Sequence, residues 1–87
     1  MPILSQFYGI IIKMYFQQSE HNPPHIHVTH SGDMAEFSIK TGQVLEGKLP
    51  PKETTMVKIW LSLHRNELLE IWNTQDFKKI APLKRKE

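Results

Sequence analysis

The chain contains no cysteine. Disulfides and thiolate metal sites are therefore excluded, and a reducing cytoplasm is the expected compartment. It also lacks a long hydrophobic run. The longest apolar stretch near the start, Gly9 to Ile12, is far short of the ~18 residues of a membrane span, and no basic segment precedes it as in a secretory signal. There is no HExxH pattern, no Cys/His knuckle and no glycine-rich phosphate loop. Internal repeats, low-complexity segments and linkers are missing as well. No membrane association is expected.

What is present bounds the rest. Eighty-seven residues make one domain with a modest core. An apolar fraction of 39% fits a folded chain. The net charge is only +2 with neutral histidines, and the pI is about 9.0. The positive charge gathers at the end. Lys78 and Lys79 are followed by Lys84, Arg85 and Lys86. Residues 1–83 read as a single α+β domain and 84–87 as a basic tail, either a solvated terminus or an arm that contacts phosphates.

The pattern predicts strands before a helix. Residues 7–16, "FYGIIIKMYF", are β-branched and aromatic and read as one strand. A polar loop ends in Pro23 and Pro24. "HIHVTH" (25–30) and "MAEFSIK" (34–40) alternate with period two around a turn at Ser31 and Gly32. "VLEG" (44–47) gives a short fourth strand. Val57, Leu61, His64, Leu68 and Ile71 then form one stripe, which predicts a single helix from about Lys52 to Trp72, begun by Pro51 and ended by Asn73. The last segment is expected to run extended and fray. The fold expected is an antiparallel meander of three to four strands with one long helix, in the C-terminal half, packed on one face.

Alternation also sorts the side chains. With Ser31 and Gly32 at the centre of a hairpin, His30 opposes Asp33, Val28 opposes Ala35 and Ile26 opposes Phe37. Apolar meets apolar, and a slip by one would scramble the match. Ile10, Ile12, Met14 and Phe16 join that apolar face. The same register pairs His27 with Glu36 and His25 with Ser38 on the other face, where Lys13, Tyr15 and Lys40 also fall.

Four of the five histidines lie in "EHNPPHIHVTH", residues 20–30. His25 and His27 at a spacing of two project side by side, ~6 to 7 Å apart along a strand. One use is general acid–base catalysis: two imidazoles exchange protons near neutrality and could cleave RNA without a metal. In that reading His25, His27 and Glu36 are catalytic, with Glu36 orienting His27. Lys13, Tyr15 and Lys40 hold phosphate or stack a base. His21, Asn22, Pro23 and Pro24 support the loop. No cofactor is required. The other use is metal binding, zinc above all, by His25 and His27 with His21 or Glu36 as third ligand. The run also brings to mind the alternating histidines of the histidine-triad nucleotide hydrolases. However, Thr29 stands where the third histidine belongs and His30 is out of phase. His64, on the helix stripe, reads as a partly buried histidine bonded to backbone or carboxylate, or as a supporting residue if the helix brings it near His21.

Four stretches together, "MPILSQFYGIIIKMYF", "HNPPHIHV", "GKLP" and "WLSLHRNELLEIW", resemble a family of small bacterial and archaeal proteins catalogued as domain of unknown function 4160. The resemblance covers about residues 1 to 83. Many relatives have Asp before the first histidine, where this chain has Glu20. The resemblance implies a two-gene cassette of toxin–antitoxin type, often with a second small domain of unknown function (number 2442), and this chain as the toxin-like member. It carries over no catalytic residue. The matching positions are His21, Asn22, Pro23, Pro24, His25 and His27, then His64, Glu67 and Trp72. The expected partners are therefore a small cognate antitoxin-like protein and RNA, with a homodimer as a further possibility. A non-catalytic partner-binding module, docking through a sheet edge or the Trp60/Trp72 helix, is the competing expectation.

Overall fold

The structure is a computed structural model and describes residues 3–15 and 23–83. Five strands lie in sequence order in one antiparallel sheet: β1 (Ile3–Phe7), β2 (Ile10–Lys13), β3 (His25–His30), β4 (Asp33–Ser38) and β5 (Val44–Lys48). Two helices follow, α1 (Pro51–Leu63) and α2 (Arg65–Thr74). The α+β class and the meander are as the sequence predicts.

The number of strands differs from the expected three to four. Residues 7–16 are not one strand. Tyr8 and Gly9 both take positive φ, 51° and 78°, and turn the chain back between Phe7 and Ile10. Two-residue turns of this hand match the twist of the strands they join. Tyr8 is a strand-former by type, so the alternation reads straight through the turn and hides β1. Ser31 and Gly32, at φ 47° and 89°, close the second hairpin as expected. Its register also agrees at every pair, from His25↔Ser38 to His30↔Asp33.

The helix is also not continuous. At His64, φ −119° and ψ 19° interrupt it, and the His64 N–H is shared between the carbonyls of Trp60 and Leu61. Neither proline nor glycine marks the break, so an unbroken stripe of apolar spacing conceals it. Pro51 opens α1 as expected, its missing N–H costing nothing in the first turn. The end lies past Asn73: α2 runs to Thr74 and is capped by Gln75 in the left-handed region.

Ile10, Ile12, Met14, Ile26, Val28, Ala35, Phe37 and Ile39 are all buried against Val57, Trp60, Leu61, Leu68 and Ile71. Each large side chain contributes roughly 1.5–3 kcal/mol of burial. Phe16, assigned to the same face, lies outside the described residues. The described part of the stretch after α2, residues 75–83, is anchored rather than frayed. The Ile80 N–H donates to the Leu4 carbonyl (2.8 Å), and the Trp60 indole N–H donates to the Ala81 carbonyl (2.8 Å). The segment therefore covers the outer edge of β1. At the opposite edge every residue of β5 is exposed.

Candidate functional site

Pairing across the sheet sets Lys13, His27, Glu36 and Glu46 in one row over β2, β3, β4 and β5, on the face away from the core. His25, two residues back along β3, projects beside His27. Its Nε2 lies 3.9 Å from one Glu36 oxygen, and His27 Nδ1 lies 3.7 Å from the other. All three side chains are largely withdrawn from water, 13%, 12% and 24% exposed.

Aromatic rings account for that burial. Tyr15 lies flat on His27, with centroids 4.0 Å apart and planes 6° apart. Trp72 of α2 stands against His25 at 5.2 Å, and the two imidazoles are 5.1 Å apart. The histidine face is thus not clear of the helices, as alternation alone implies. The end of α2 reaches it through Trp72.

Hydrogen bonding fixes one ring. His25 Nδ1 is 2.9 Å from the Pro23 carbonyl oxygen. A carbonyl only accepts, so Nδ1 carries the proton, and Nε2 of the neutral ring turns a lone pair, not a donor, toward Glu36. Pro24 contributes too, its carbonyl accepting the Ile39 N–H at 2.9 Å. Burial lowers the pKa of His27 below 6.5. Glu36 and Glu46 pull it back up, while His25 and Lys13 push it down. His27 is therefore neutral at neutral pH. One donor atom each from His25, His27 and Glu36 lie within 4.8 Å of one another.

Not every expected site residue joins. Lys13 and Tyr15 do. β4 ends at Ser38, so Lys40 falls in the exposed turn beyond it and leaves the row. His21 and Asn22 lie outside the described residues, as does the basic tail from Lys84 to Lys86. His64 sits at the break between the helices, its Nδ1 2.6 Å from Glu67 and its ring against Trp60 at 5.2 Å. This is the carboxylate-bonded, partly buried histidine of the plainer expectation. His30 faces the helix side, where its Nε2 is 3.6 Å from Glu53.

Sequence reasoning named Trp72 only as a motif position and docking residue, missing its place beside His25, and it missed Glu46 altogether. Glu46 is two residues from Val44, but Phe37 pairs with Val44 and Glu36 with Glu46, an irregularity that leaves Leu45 over. Without that bulge the row could not be extended to β5.

These observations define a small two-layer α+β domain whose sheet face away from the core carries two imidazoles and a carboxylate between aromatic walls. A family model described as a domain of unknown function (DUF4160) matches residues 9–73, and the chain belongs to that family. No curated protein and no solved structure matches the chain. The matched span contains every residue of the face from Lys13 to Trp72. Among the described residues no helix is long and apolar enough to cross a membrane.

Proposed function

We propose that the chain acts on RNA or translation through the His25–His27–Glu36 face, by cleaving RNA or by binding it so as to block translation, as the toxin-like member of a bacterial two-gene cassette, in the cytoplasm. The observation that carries this reading is the stack of Tyr15 on His27 beside Lys13. It sets an aromatic platform for a base, a cation for a phosphate and a neutral imidazole side by side. In the cleavage reading His25 and His27 supply the proton chemistry. The tail Lys84–Lys86 adds sequence-independent affinity.

The test is expression of the untagged chain alone, followed by mapping of cellular RNA ends. Growth arrest with new RNA ends, both lost in His27→Ala and Glu36→Gln proteins that fold normally, is the expected result. Arrest that survives both substitutions overturns the reading. The competing reading is a non-catalytic module that binds its small cognate partner. It is favoured by the exposed β5 edge, with Val44 at 39% and Leu45 at 43%. It predicts no arrest, with partner binding unaffected by the same substitutions.

A further inference from the structure

We propose that His25 Nε2, His27 Nδ1 and the Glu36 carboxylate bind one divalent first-row transition-metal ion of the zinc class, with at least one coordination position left open. This goes beyond the RNA reading, and the ion site stands whether or not RNA is the substrate.

The donor set comes first. Two imidazoles and one carboxylate are a borderline-to-hard set suited to zinc, cobalt, nickel or iron, and three protein ligands with an opening are the composition of catalytic rather than structural sites. Geometry comes second. Ligands at ~2.0–2.1 Å from a tetrahedral ion lie about 3.4 Å apart. Here the imidazole–carboxylate separations are 3.9 Å to one Glu36 oxygen and 3.7 Å to the other, and one donor atom from each of the three residues lies within 4.8 Å of the other two. Side-chain rotations that bring any pair together by at most about 1.4 Å close the site, with no movement of the strands.

The same separations are too long for hydrogen bonds. With its Nδ1 proton on Pro23, His25 has no proton on Nε2 to give Glu36. In that tautomer a lone pair faces a carboxylate oxygen across a gap, which a cation relieves and a neutral ring does not. That Nδ1–H to a backbone carbonyl is also the outer bond that commonly fixes the orientation and tautomer of a ligating histidine. Tyr15 and Trp72 hold the two rings from opposite partners in the fold and keep water from them. Glu46, next in the row, adds a second negative charge near the ion. Lys13, on the other side of His27, stands where an anion on the open position would find a counter-charge. The remaining described histidines do not compete: His30 has one carboxylate, Glu53, and His64 has one, Glu67.

The experiment uses the untagged full chain, stripped with EDTA and dialysed. Zinc chloride is titrated by calorimetry and cobalt(II) chloride by its visible spectrum. One equivalent is expected to bind, with cobalt bands of a low-coordinate nitrogen/oxygen site. His25→Asn, His27→Asn and Glu36→Gln should each weaken binding by about 10–100-fold, and His30→Asn and His64→Asn should not. Glu36→Gln preserves shape, so it decides the matter if either histidine variant fails to fold. No binding near one equivalent, or binding indifferent to Glu36→Gln, overturns the proposal. RNA cleavage that persists in EDTA, together with no binding of zinc or cobalt near one equivalent, would sink the metal while sparing the RNA reading. Stoichiometric zinc with no effect on RNA would do the reverse.

Discussion

Replacing Gly47 by alanine tests how β5 is joined to the sheet. Gly47 has φ +78° and pairs with Ala35. A Cβ there would lie 2.2 Å from the Met34 carbonyl oxygen and 2.9 Å from the Ala35 Cα. Both are backbone atoms, so no side chain can swing aside. Gly32 provides the comparison: its φ is +89°, but a Cβ meets nothing within 4 Å. Gly32→Ala therefore carries only the left-handed backbone term, about 1–2 kcal/mol. The stiffer unfolded chain offsets about 0.4–1 kcal/mol of it. The net loss is about 1 kcal/mol. Gly47→Ala carries the same term and must also push β5 from β4 by about an ångström, giving up two or so ladder hydrogen bonds at about 1 kcal/mol each. Its loss is about 3 kcal/mol, against a total stability of about 4–13 kcal/mol for a chain of this length. Urea unfolding, followed by far-ultraviolet circular dichroism, measures both. With a slope near ~1.5 kcal/mol/M the midpoints should fall by about 2 M and by less than 1 M. Equal losses for the two variants, within about 0.5 kcal/mol, would refute the argument that backbone collision, rather than backbone conformation, makes Gly47 necessary.

Three further outcomes follow from the same contacts. Because burial depresses the His27 pKa below 6.5, its contribution to stability is fully present above 6.5 and is lost as pH falls through the folded-state value; ring proton resonances should show the depressed midpoint. Glu36→Gln should lower it further and Lys13→Met raise it, and shifts of opposite sign would contradict the assigned causes. Trp60→Phe removes the donor to the Ala81 carbonyl and should cost about 1–3 kcal/mol. Hydrogen exchange at the Ile80 amide, bonded to Leu4, should quicken more than exchange in β3. His64→Ala loses a ring packed on Trp60 and a pair with half-exposed Glu67, together about 1–2 kcal/mol by thermal unfolding, while the environment of His27 stays unchanged in its NMR spectrum.

The fold was legible where a rule of periodicity met a turn residue. β3 and β4 are a clean case: alternation on both strands and one Ser-Gly turn leave a single register that pairs apolar with apolar. β1 was not legible, because Tyr8 at φ 51° has the composition of a strand and the conformation of a turn. Apolar spacing could not separate α1 from α2 either. The core needs the same stripe from both helices, and His64 satisfies that spacing while its backbone leaves it. The anchoring of residues 75–83 had no local signal, since the bonds at Ile80 and Ala81 close against residues far away in sequence.

The site was legible to the extent that it follows from the same alternation. Burying Ile26 and Val28 forces His25 and His27 outward, and burying Ala35 and Phe37 forces Glu36 out beside them. Two imidazoles and a carboxylate converge because the hairpin that makes the core has no other way to pair. Lys40 shows where this logic stops, because it requires the strand to continue and β4 ends at Ser38. Trp72 shows what it cannot reach, because the approach of α2 to His25 depends on where His64 breaks the helix. The hairpin thus sets which groups meet, while the helix break and the loop carbonyl of Pro23 set how they are held. A change that displaced the helix break itself should then reach Trp72 and the His25 ring first and leave His27 and Glu36 in place, and a change in the Ser31–Gly32 turn should move all three donors together.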